Sequence, residues 1–207
     1  MKENHEIAKK GNSSCEFKYE LSGAGWAHLY MRINESEFFI HVSYAADSIE
    51  DIMLALYCLI PCEKLGDEDY FLPKKVNKTL EGYEVFIDAE KGGEYYLYFN
   101  TSVREKDRLK VIVKSESGRI VINETCSLND FTYAVVKACD EMLKAYGLLG
   151  YSRTYLDCTD CHFDAPVFLV LKAYCLHVEG YGCTSDEKGI FKKSDYEKEL
   201  AILAMEM

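Results

Sequence analysis

The chain has 207 residues, 48% of them hydrophobic and 29% charged, and its 24 Lys plus Arg against 35 Asp plus Glu leave a formal net charge of −11. Such a length supports a core without disulfide staples, and the apolar fraction excludes a disordered chain. The acidic balance argues against nucleic-acid and anionic-membrane partners, which both need a basic face.

Residues 1–13 read as a polar, flexible leader, and 14–207 as one α+β domain whose C-terminal part, 165–207, is helical. Aromatic and β-branched residues alternate with polar ones from Glu16 to His41, predicting strands near 15–22, 26–33 and 37–44. The period then changes. Ile49, Ile52, Met53, Leu56 and Leu59 recur at helical spacing behind Ser48, and Pro61 stops the helix. After an acidic loop, Glu63 to Asp69, two hairpins are expected: 83–88 with 94–99 around Lys91-Gly92-Gly93, and 109–114 with 119–123 around Ser115 to Gly118. Tight turns join neighbours, so these strands should form one antiparallel sheet. Ser127 with Asp130 resembles a capping box and opens the strongest helix, with Phe131, Val135, Ala138, Met142 and Tyr146 as its stripe and Gly147 and Gly150 as its end. Asp164 with Pro166 opens a third helix to about Cys175, Gly180 to Gly189 reads as a loop, and Ser194 with Glu197 caps a last helix.

The apolar runs 52–62 and 165–176 are too short to span a bilayer, the first residues carry no apolar export signal, and nine cysteines make an odd set. A cytoplasmic protein with reduced thiols is the expectation. Cys158 and Cys161 form a Cys-x2-Cys half-knuckle that Cys175 or His177 with Cys183 could complete around zinc, but a half-motif is weak and no cofactor is expected. Cys161 beside His162 is a poor catalytic dyad, because sequence neighbours in extended chain point apart. His28 and His41, on adjacent strands, could approach one another or a thiol. The acid pairs Glu50-Asp51, Asp67-Glu68-Asp69 and Asp140-Glu141 read mostly as solvated faces, and no phosphate loop is present. No catalytic residue is assigned, and an enzyme is not expected.

Several pieces carry a resemblance: Gly25-Trp26-Ala27, Val42 to Asp47 running into the 52–59 helix, Asp130 to Val136, and Tyr146 to Tyr151. Across roughly residues 16–170 the chain resembles small bacterial cytoplasmic proteins grouped with the immunity proteins of polymorphic toxin systems. It departs from them after Tyr151, with Tyr155 and Phe163-Asp164-Ala165-Pro166 where a Trp and then a Phe-Pro are expected. The resemblance implies a protein-binding inhibitor of a toxin. Charge points the same way. Residues 1–103 hold 10 basic and 18 acidic groups, net −8, whereas residues 104–207 hold 14 and 17, net −3. The acidic half also carries Tyr70, Tyr83, Tyr95, Tyr96 and Tyr98, expected at the surface. Carboxylates interleaved with tyrosine suit a basic protein partner, and Asp67, Glu68, Asp69 and Tyr70 are the expected contact.

Overall fold

The computed structural model describes residues 14–43, 48–62, 76–90, 93–102, 105–154, 163–181, 184–185 and 192–207. Strands β1 (Cys15–Gly23), β2 (Trp26–Ile33) and β3 (Ser36–Val42) pair in succession as antiparallel neighbours. Their short turns use left-handed backbone, with Ala24 and Gly25 at φ 50 and 81 and Asn34 at φ 54. This is the conformation that matches the twist of the flanking strands. Helix α1 (Ser48–Leu59) follows and ends before Pro61. Then come β4 (Val76–Lys78), β5 (Gly82–Ala89), β6 (Gly93–Ser102), β7 (Glu105–Ser115) and β8 (Ile120–Ser127). The eight strands form one antiparallel sheet in the order β1-β2-β3-β5-β6-β7-β8, with β4 alongside β5. The α+β expectation holds, although β4 was not expected.

β3 meets β5 only at its end, through the pairing of Val42 with Ala89 and backbone bonds from Ser43 to Asp88 (2.9 Å) and Glu90 to His41 (3.0 Å). Past that seam the sheet curls until β8 reaches the β2–β3 turn. There Asn34 Nδ2 donates to Glu124 Oε2 at 3.0 Å and to the Thr125 carbonyl at 3.4 Å, and Ser36 Oγ donates to Glu124 Oε1 at 2.7 Å.

Among the described residues four helices form the layer on the inner side of the sheet: α1, α2 (Leu128–Thr154), α3 (Ala165–Cys175) and α4 (Tyr196–Ala204). α1 packs on β5, α2 runs along β1, and α3 lies against both α1 and α2 with α4 behind it. Ser127 caps α2 as expected, accepting from the Asp130 N–H at 3.0 Å, and Asp107 accepts from the Asn129 N–H at 3.0 Å, placing a carboxylate at a positive helix end. Phe131, Val135, Ala138 and Met142 are buried. Tyr146 is not: it is 48% exposed, because Gly147 (φ 70, ψ 166) breaks the helix there and turns the face. The chain then resumes helix to Thr154 and buries Tyr151 in its place. Asp164 caps α3, accepting from the Val167 N–H at 2.9 Å. α4 is capped by Asp195 rather than Ser194, and the expected 180–189 loop contains a short strand, β9 (Thr184–Ser185), paired with β10 (Lys192–Lys193).

The expectation of solvated acid pairs is corrected at two places. Asp51 and Asp140 are buried, while their neighbours Glu50 and Glu141 lie outside the core, because a helical turn separates adjacent side chains by about 100°. Asp140 meets a lysine on α3, a helix otherwise apolar through its middle. Lys172, fully buried, donates to Asp140 Oδ1 at 2.5 Å and to the Leu203 carbonyl at 3.0 Å. Lys144 holds the other oxygen of Asp140 at 2.9 Å and reaches Glu206 at 2.7 Å. One ion network therefore ties α2, α3 and the C-terminus.

Two outcomes follow. Lys172→Met leaves Asp140 short of its buried partner and should cost about 3 kcal/mol in urea unfolding, most of it recovered in the double variant with Asp140→Leu. At the sheet closure, the bonds from Asn34 and then Ser36 hold the Glu124 carboxyl below its ordinary value of 4.5. A carboxyl whose folded pKa is depressed stabilises the fold above its unfolded pKa and loses that contribution as pH falls through the folded value. Glu124→Gln should accordingly flatten the fall in melting temperature below pH 4.5.

Candidate functional site

The outer surface of β5 and β6 is where chain alternation places charge and rings together. Tyr83, Val85 and Ile87 of β5 and Leu97 and Phe99 of β6 point inward and are buried. With a strand period of two, Glu84, Phe86 and Asp88 face outward opposite Tyr98, Tyr96 and Glu94. The Phe86 and Tyr96 rings lie 5.6 Å apart, and Lys114 of β7 sits 4.8 Å from the Tyr98 ring centre. Tyr96 donates its hydroxyl to Glu94 Oε2 at 3.3 Å, and the backbone of Glu116 bonds the Glu94 carbonyl at 2.8 Å, which brings a further carboxylate to the same end.

This surface is electrostatically biased. Partial burial of its ring, followed by the hydrogen bond to Glu84, pushes the Tyr98 hydroxyl up to about 12. Burial, then the carboxylates of Glu94, Glu116 and Glu84, raise Tyr96 in the same direction. Both phenols are held as neutral donors, set among carboxylates. The surface continues over the seam to β2 and β3. His41 lies 3.1 Å from Glu90 through Nδ1 and stacks on His28 with ring centres 4.3 Å apart. Phe39, 57% exposed, packs within 5.8 Å of both imidazoles. The two histidines do approach one another as expected, and their charged neighbour is a carboxylate.

The expectation that the tyrosines of the acidic half are surface residues is met at Tyr96 and Tyr98 in part and fails at two others. Tyr83 is buried, and Tyr95 turns inward to pack edge-on against Phe38 at 5.1 Å. Composition shows a tyrosine-rich hairpin, but only the register says which rings face out. Asp67, Glu68, Asp69 and Tyr70 lie outside the described residues, as do Cys158, Cys161, His162 and Cys183. His177 is described, exposed at the end of α3 with φ 55. Among the described residues no group of three or more His, Cys, Asp and Glu is arranged to hold a metal ion, and no helix is long and apolar enough to cross a membrane.

No protein-family model, curated protein or solved structure shows a significant match to this chain.

Elemental analysis of the purified protein should find no stoichiometric zinc. One zinc per chain, released together with a loss of stability in Cys158→Ser, is the contrary result, and it would make the C-terminal part a metal-stapled unit.

Proposed function

We propose that this chain is a protein-binding protein that engages a basic protein partner through the outer face of β5–β6, in the manner of an immunity-type inhibitor that occludes a toxin. The observation that carries the reading is the interleaving on one rigid surface of Phe86, Tyr96 and Tyr98 with Glu84, Asp88, Glu94 and Glu116. Tyrosine supplies contact area at small conformational cost and a hydroxyl that bonds across an interface. Carboxylates supply long-range attraction: an inhibitor must reach its toxin before the toxin reaches its target, and complementary charge speeds encounter. The sheet behind the face is fully packed, with Val85, Ile87, Leu97 and Phe99 buried, so ordering the surface on binding takes little entropy. Asp67, Glu68, Asp69 and Tyr70 extend the same chemistry in the chain and are included in the proposed contact.

The test starts with the basic protein captured from the native host or encoded beside this chain. Glu90→Lys, Glu94→Lys and Glu116→Lys together should slow its association about tenfold or more at low salt and flatten the salt dependence, with melting temperature nearly unchanged. Tyr96→Ala with Tyr98→Ala should instead speed dissociation, a loss of about 2 kcal/mol. Reversing Asp67, Glu68 and Asp69 probes the acidic loop separately. Association and protection that survive all three sets of changes would dismiss the docking reading.

A further inference from the structure

Cys15 opens β1 and Cys126 nearly closes β8, on strands that do not pair with one another. Their meeting is the work of Asn34. Its backbone N–H donates to the Ser14 carbonyl at 3.0 Å, while its side-chain amide donates to the Thr125 carbonyl at 3.4 Å. The residues just before each cysteine are thus bonded to one asparagine. Both are free thiols, and their side chains interact with one another. Their surroundings differ. Cys126 is buried, whereas Cys15 is half-buried and lines an open groove of about 670 Å³ between β1 and α2, together with Lys18, Asp130, Tyr133 and Lys137.

We propose that Cys15 and Cys126 form a peroxide-responsive dithiol, in which Cys15 is the sulfur oxidised first and Cys126 resolves it to an intramolecular disulfide. A small oxidant reaches Cys15 from the groove, and the resolving thiol already interacts with it. The side-chain interaction with Cys126 holds the Cys15 thiol below its ordinary value, although burial and Asp130 oppose the shift, and the same interaction together with burial pushes Cys126 up. Cys175, by contrast, is pushed up to about 12 by burial alone. The thiolate is the nucleophile, so Cys15 is set apart from a merely buried cysteine.

The chemistry balances with hydrogen peroxide as the named oxidant. Cys15 Sγ attacks one peroxide oxygen, the O–O bond breaks, and the departing hydroxide takes the thiol proton as water, leaving a sulfenic acid on Cys15. Cys126 Sγ then attacks the Cys15 sulfur, the S–O bond breaks, and a second water leaves with the Cys126 proton. Two thiols are oxidised by two electrons in all, and one peroxide is reduced to two waters. The sulfurs close to about 2.05 Å. The product would tie the first residue of β1 to the strand end that feeds α2, beside the groove. This reading is independent of partner docking.

The test uses the full chain, reduced, desalted and exposed to limiting hydrogen peroxide, then quenched with a thiol-alkylating reagent, digested and mapped by mass spectrometry. The expected result is a loss of two titratable thiols per chain, a linked peptide pair carrying Cys15 and Cys126 as the main disulfide, and its reversal by dithiothreitol. Before oxidation, iodoacetamide should modify Cys15 about tenfold faster than Cys175 at neutral pH. In Cys126→Ala the oxidation should stop at a Cys15 sulfenic acid that dimedone traps. The proposal is overturned if Cys15 and Cys126 are both recovered alkylated while other cysteines oxidise, or if Cys15 links to a different cysteine. The map of the unmodified chain decides the matter even if the alanine variant does not fold.

Discussion

Asn34 and Ser36 on the β2–β3 turn, with Glu124 near the end of β8, hold together two parts of the sheet whose ladder pairing is confined to the end of β3. β3 meets β5 at a single residue pair, so without a second attachment the first three strands would be joined to the rest mainly at one corner. The bonds to Glu124 and Thr125 supply that attachment on the opposite side. Asn34 can do this because its left-handed backbone turns the chain tightly while its short amide reaches sideways, a conformation asparagine tolerates better than most residues. Curling follows from it, as does the juxtaposition of Ser14 and Thr125 that sets Cys15 against Cys126.

A curled sheet leaves its inner face to be covered, and the helices do so with a core that runs from Phe17 and Leu29 through Val111 to Phe131 and Phe168. The cost of that arrangement appears at Lys172. A helix packed against three others has no free side for a cation, and an unpaired buried ammonium would be far out of balance. Asp140 and the Leu203 carbonyl satisfy it, so the charge becomes a positional constraint: α2, α3 and the C-terminal residues must meet at one place. A buried ion pair adds little net stability against an apolar replacement of both partners.

The outer face obeys a different rule. The partly exposed rings of Phe86, Tyr96 and Tyr98 stand among carboxylates rather than lysines, apart from Lys114 over Tyr98. A surface kept merely soluble needs charge but not aromatic area, and an apolar patch alone would invite self-association. The combination suits the basic partner proposed above, and it sits on the β5–β6 hairpin.

Much of this organisation is determined locally and could be read from the chain. Strand alternation at 26–33 and 83–88, the serine cap at Ser127, the Asp164-x-Pro166 helix start and the break at Gly147 each depend on residues within one or two turns of one another. The α+β class follows from them. Other features depended on the tertiary structure. Tyr95 and Tyr96 are neighbours of the same type, and only the register of β6 sends one to Phe38 and the other to the surface. Asp140 and Glu141 look alike in sequence, but the position of α3 makes one a buried partner of Lys172. Cys15 and Cys126 carry no shared spacing signal, because their approach is set by how far the sheet curls and by one asparagine lying between them in space. Sequence periodicity reports which side of an element is apolar; what that side or its opposite finally touches is decided by the order and curvature of elements far apart along the chain.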